Sequence, residues 1–408
     1  MNRRRSTSDT SPSVPGVAHV APPQGRDLGT HVARHHPASP RSEIRLAGYG
    51  ELEPCVTTPG SSRQVRYAHS PDFPACLAEA GISILISTYQ AGKLVVLSTS
   101  GERLELSFHN YDRPMGIAVD EQLDCLAVAT KSTIWIAKND TCVASQLASP
   151  GPTGACFLTR IAHHSGNIEA HQIAWCKREL WIVNTRFSCL CTFDDKHSFA
   201  PRWQPPFIDT LAAEDRCHLN GMAIENHRPK YVTTLAETNV ADGWRPVKNR
   251  AGCLIDVDSH EVVARGFAMP HSPVVHDGHA YLLNSGFGSL VHVDSTGRVD
   301  EVGRFPGFTR GLAVHGNLAV VGLSKIRDHS TFGDLPIAER ANDLKCGIAI
   351  VNLSNGTLHS QFEFQSGVEE IFDVNVVPCP GRFTLRGPHE TEDGHEPIWV
   401  LPSPRSLR

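Results

Sequence analysis

The chain has 408 residues, 40% of them hydrophobic and 20% charged, with a formal net charge of −5. That balance fits a globular protein with a sizeable core and excludes a general affinity for nucleic acid. There is no apolar run of about 18 residues, so no membrane span is expected.

The opening MNRRRSTSDTSPS carries arginines with no apolar stretch behind them, so it does not read as a secretory signal. Residues 1–65 are rich in Pro, Ser, His and Arg without a hydrophobic period, and a disordered N-terminal tail is expected there. The 12 cysteines are scattered singly and form no C-x-x-C framework, which fits buried free thiols in a cytoplasmic protein.

Short apolar runs then follow one another. Segments 82–88, 93–98 and 103–108 read as three strands in succession with no inner strand before them. Six later segments open alike, with polar residues running into small apolar ones: RPMGIAV (113–119), AHQIAW (170–175), HLNGMAI (218–224), HSPVVH (271–276), TRGLAV (309–314) and EEIFDV (369–374). A strand-built repeat of roughly 40–60 residues is the signature of a β-propeller. The expected fold is all-β: a six-bladed β-propeller over residues 70–380. Its ring is closed by the C-terminal strand 371–377 joining the N-terminal blade at 82–88, because closure removes sticky sheet edges. Five further blades start at the first five openings. Segment 335–344 is the one helical signal, and 381–408 is a C-terminal extension with a strand expected at PIWVL.

Four long connections, 149–170, 208–218, 236–251 and 324–345, are expected on the face where the inner strands begin, which marks that face as functional. His171, His218 and His271 start three inner strands and would meet at the channel mouth. Neutral imidazoles there suit zinc, manganese or iron, with Glu370 as an acidic ligand. Arg113 and Arg310 occupy matching openings and suit an anionic group; an internal ion pair with Glu369, Glu370 or Asp112 is the alternative. Tyr89 is a candidate acid or base. Lys131, Arg186, Asn220, Glu237, Asn284 and Lys325 lie in the same loops and strand starts as candidate substrate contacts, with Arg327 beside them. Two functions stay open: a metal-dependent hydrolase, lyase or isomerase acting on a small polar or anionic molecule, or a non-catalytic propeller binding a peptide or protein partner.

The segments STYQAGKL (87–94), YDRPMGIAV (111–119), CHLNGMAI (217–224), PHSPVVHDG (270–278) and LNSGFGSL (283–290) resemble a bacterial family of conserved hypothetical proteins known as a domain of unknown function. That resemblance spans roughly residues 70–380 and implies a six-bladed propeller without implying an activity. LNGMAI is similar to the Asn-Gly inner strand of gluconolactonase and regucalcin-type propellers, which implies Asn220 as a metal ligand. The three histidines with an Arg and Tyr89 resemble, in arrangement, the zinc site of the peptidyl-hydroxyglycine amidating lyase propeller.

Overall fold

A computed structural model describes residues 65–101, 103–144, 147, 153–326 and 332–401. The expected disordered tail therefore lies outside the described residues except for Val65, as does Arg327. The described strands form six sheets of four or five strands each, the expected six-bladed propeller. The inner strands are Ile117–Val119, Ala170–Cys176, Leu219–Glu225, Pro270–His276, Phe308–His315 and Asp373–Pro378. Asp373–Pro378 pairs antiparallel with Ile82–Thr88, from Ser87↔Asp373 to Ile82↔Pro378, and closes the ring as the sequence predicted. The second strands of the blades are largely buried between neighbouring blades. Several of them therefore read as nearly continuous apolar runs such as CLAVA and LAVVGLS.

Most outermost strands were not legible in the sequence, 103–108 of the closing blade being the exception. Ala200–Trp203, Val262–Phe267 and Val299–Arg304 are half polar because each has a sheet edge in water. Thr153–His164 corrects the expected loop 149–170: it is the outer strand of the first blade. Two end segments add fifth strands. Arg66–His69 pairs with Leu358–Ser366 of the fifth blade, and Arg382–Arg386 runs parallel to Thr153–His164. The strand expected at PIWVL is absent, and Trp399 and Leu401 are exposed there. A helix, Phe73–Ala80, buries Phe73 and Leu77 in the core between the fifth and closing blades.

The other two insertions do share a face. Trp244 from 236–251 packs with Leu335, Ile337 and Leu344 from 324–345, over Met269 and Phe308 at the starts of two inner strands. The helical signal at 335–344 is realised as 3-10 turns over Pro336–Asp343. Gly311, at φ 83, would place a Cβ 2.5 Å from the Val374 nitrogen, so the fifth and closing inner strands meet in close contact beside Arg310. Among the described residues, no helix is long and apolar enough to cross a membrane.

The seam of the ring is tied by Asp373. Its Oδ2 accepts the Ile117 N–H at 2.9 Å, its Oδ1 accepts the Val374 N–H at 2.9 Å, and its own N–H donates to Ser87 Oγ at 3.0 Å. Burial pushes this carboxyl up to about 7, against the two N–H donors and the Arg310 charge. Asp373→Ala leaves two buried N–H groups without acceptors and should cost about 2–4 kcal/mol. Urea denaturation measures this; an unchanged midpoint would contradict the role given to the seam.

Candidate active site at the channel mouth

Two histidines sit in the same backbone cradle. Glu169 (φ 53) and Met269 (φ 49) take the left-handed conformation two residues before His171 and His271. Each turns its carbonyl onto the imidazole that follows: Glu169 O lies 3.0 Å from His171 Nδ1, and Met269 O lies 2.8 Å from His271 Nδ1. A hydroxyl directly after the second strand completes each cradle, Thr185 Oγ1 at 2.8 Å and Ser285 Oγ at 2.9 Å. Thr185 donates to the Leu219 carbonyl at 2.6 Å, so its oxygen is left to accept. A carbonyl cannot donate, so the hydrogen of each pair sits on Nδ1, and Nε2 keeps its lone pair.

His218 also holds its Nδ1 against a fixed acceptor, by another route. It is itself left-handed (φ 50), and its Nδ1 lies 2.8 Å and 3.0 Å from the two oxygens of Asp215. Trp244 Nε1–H donates to the same carboxylate at 3.0 Å, which fixes it as an acceptor. The His218 ring stands edge-on to His171, with centroids 4.8 Å apart, and tilts on Trp244 at 4.4 Å. On the other side, His171 lies 5.1 Å from Phe372.

Arg310 completes the ring of groups. Its guanidinium covers the Phe372 ring 3.5 Å from the centroid, and its NH1 lies 3.6 Å from Glu370. Tyr89 packs on Phe372 at 5.6 Å, and the exposed Arg113 lies 5.7 Å over the Tyr89 ring. Burial, the His218 charge and the Arg310 charge together hold His171 well below the usual imidazole range. Burial and Arg310 do the same to His271. Both are therefore neutral at neutral pH, with a permanent cation beside them.

Other expected site residues stand elsewhere or are otherwise engaged. Glu370 pairs with Arg310, which is the internal ion pair weighed as the alternative. Among the described residues, no group of three or more His, Cys, Asp and Glu side chains is placed to hold a metal ion, so the expected ligand set of His171, His218, His271 and Glu370 is not assembled. Asn220 is buried and ties two inner strands: its Nδ2 donates to the Pro270 carbonyl and its Oδ1 accepts from Thr233. Asn284 accepts the Ala268 N–H and is likewise structural. Glu237 forms a two-bond pair with Arg265 on the outermost strand of its blade, away from the axis. Arg186 pairs with Glu169 at 3.1 Å, bracing the His171 cradle. Lys131 is exposed, and the Lys325 N–H donates to the Glu369 carbonyl.

Asp215, Trp244, Thr185, Ser285 and Phe372 were missed. One signal was available: Asn-Thr at 184–185 and Asn-Ser at 284–285 follow His171 and His271 at the same spacing. None of the described cysteines forms a disulfide; most of them are buried, and Cys142 is exposed.

A family described as a domain of unknown function (DUF4915) matches residues 71–383. No curated protein matches the chain. Among solved structures, a chain of a nidogen/laminin complex is 10% identical, with 72% of this chain and 98% of that one covered and a TM-score of 0.47. Virginiamycin B lyase from Staphylococcus aureus, in a catalytically inactive form with quinupristin, is 9% identical, with coverage of 69% and 76% and a TM-score of 0.36. A protein from Bacteroides uniformis, provisionally assigned as a 6-phosphogluconolactonase, is 14% identical, with coverage of 68% and 81% and a TM-score of 0.38. Likeness at this level carries no inference about activity.

The depressed histidines give a pH signature. Their unfolded value is 6.5 and their folded values lie well below it. Below about pH 6.5 the unfolded chain binds more protons, so their contribution is complete above that pH and is lost as pH falls. Asp373 runs the opposite way between about 4 and 7, so the difference between variants is the informative quantity. His271→Gln should destabilise by about 1–3 kcal/mol at pH 7.5, and the deficit should shrink steadily towards pH 5. Thermal melts across that range check it; a deficit independent of pH would contradict a neutral His271.

Proposed function

Because the chain belongs to the DUF4915 family, whose function is unknown, its own residues must supply any argument for an activity, and we propose that it is an acid–base enzyme for a small anionic substrate at the channel mouth. The observation that carries this is the shared anchoring: three imidazoles hold Nδ1 on fixed acceptors around one arginine. Arg310, braced by Glu370 and Phe372, receives a carboxylate or phosphate of the substrate. His218 Nε2 takes a proton from the substrate, and Asp215 stabilises the imidazolium that forms. His171 and His271 stay neutral, and Tyr89 beside Arg113 returns a proton to the leaving or rearranged group. Lyase, isomerase and hydrolase chemistry all use these roles. The free thiols fit a reducing compartment, and we place the protein in the bacterial cytoplasm.

A second reading rests on the same anchoring. Imidazoles whose Nδ1–H is anchored, with Nε2 left to bind, are the form in which histidines ligate zinc, manganese or iron. His171, His218 and His271 would hold such an ion only after drawing closer together, and it would act as a Lewis acid towards the substrate oxygen.

The experiment is a thermal-shift panel of small carboxylates and phosphates, followed by proton NMR of any stabilising compound in D₂O. Arg310→Ala should weaken the ligand about 10–100-fold. His218→Gln should retain binding but slow turnover or deuterium exchange about 10²–10⁴-fold. Binding that survives Arg310→Ala intact would overturn the anionic-substrate reading. Metal content of protein purified without a His tag separates the two readings: stoichiometric metal lost in His171→Ala favours the second. A protein with neither metal nor turnover would be a binding module for a peptide or protein partner.

A further inference from the structure

We propose that the protein carries a second reactive centre, away from the channel, in which Ser107, His109 and Asp393 form a serine-nucleophile relay for small carboxylic esters. Ser107 and His109 are two residues apart on the outermost strand of the closing blade, Arg103–Asn110, so their side chains share one face. Ser107 Oγ lies 3.0 Å from His109 Nε2. On the other side of the ring, His109 Nδ1 faces Asp393 Oδ2 at 3.6 Å, with the two side chains only 2% and 0% exposed. Neither of these two buried atoms has a hydrogen-bond partner among the described residues, so each is left for the other. Asp393 is held from behind: its Oδ1 accepts the Asn110 N–H at 2.8 Å and Asn110 Nδ2 at 2.6 Å.

This is the order of atoms that activates a serine: hydroxyl to Nε2, Nδ1 to a buried carboxylate, carboxylate anchored in turn. Relay hydrogen bonds are often long before substrate binds. Gly387 seats the C-terminal segment on the pair, since a Cβ there would lie 3.4 Å from Asp393 Oδ2 and 3.5 Å from His109 Cβ. Ser107 itself is only partly buried, so a substrate can reach it. A donor for the oxyanion follows from the ladder. The Asn110 N–H points away from the sheet to Asp393, and the strand pairs without a register shift. By alternation, the Phe108 N–H leaves the same edge, next to the nucleophile.

The step balances within the relay. His109 Nε2 takes the Ser107 proton as Oγ bonds to the ester carbonyl carbon. The C–O bond to the alcohol breaks, and the alcohol leaves with that proton, giving an acyl-serine. Water then gives its proton to His109 and its oxygen to the carbonyl, and Ser107 leaves reprotonated, so the products are one alcohol and one carboxylic acid.

The test uses the full chain with a fluorophosphonate probe, peptide mapping of the adduct, and p-nitrophenyl acetate hydrolysis. Wild type should be labelled at Ser107, and Ser107→Ala should lose both label and hydrolysis. Asp393→Asn should label at least 10-fold more slowly while melting within a few degrees of wild type. Arg310→Ala, which disables the channel site, should label and hydrolyse as wild type does. Folded wild-type protein that takes no label at Ser107 would overturn the proposal. So would hydrolysis that persists in Ser107→Ala, or an Arg310→Ala variant that loses activity.

Discussion

Ser87 and Asp373 stand 286 positions apart in the chain and share a hydrogen bond where the ring closes. That seam is the constraint on which the channel depends. Pairing of Asp373–Pro378 with Ile82–Thr88 forces the other inner strands into a ring, so their first residues converge on one axis. Arg310 illustrates the dependence. Its neighbour Gly311 touches the closing strand backbone, and its guanidinium lies on Phe372, which immediately precedes that strand. Without closure Arg310 has neither Phe372 beneath it nor Glu370 beside it.

The second organising feature is backbone strain placed at the channel mouth. Glu169, His218 and Met269 are all left-handed without being glycine. Each costs roughly 1–2 kcal/mol relative to ordinary backbone. The return is orientation. In two cases the strained residue aims its carbonyl at a histidine two positions on, and in the third the histidine is turned towards Asp215. Strain held by a closed, well-packed ring is a usual mark of functional sites. The insertions at 236–251 and 324–345 complete the enclosure, and Trp244 links that cover directly to the Asp215–His218 pair.

Much of this was legible in the sequence, for identifiable reasons. Inner and second strands announce themselves because they are buried between blades, and their repeated openings carry the histidines and Arg310. Most outer strands were hidden by their polar edges, as in VDEVGR at 299–304, although 103–108 was legible. The partners of the histidines were hidden for a different reason. Asp215 and Trp244 lie in loops without periodicity, and they meet only because one insertion folds back over the inner strand. Asn220 was misleading because an Asn-Gly pair reads equally as a ligand or a turn; here the amide bridges blades, and a Cβ on Gly221 would meet Pro273 at 2.4 Å. Glu370 was read as a ligand, while the fold gives it to Arg310.

The central claim is that His171 and His271 hold their hydrogens on Nδ1 and leave Nε2 bare. Long-range ¹H–¹⁵N correlation spectra of the imidazole rings at neutral pH measure this directly, with single His→Gln variants giving the assignments. His171 and His271 should appear as neutral rings protonated at Nδ1 down to well below pH 6.5. Rings protonated at Nε2, or already charged at neutral pH, would contradict the account.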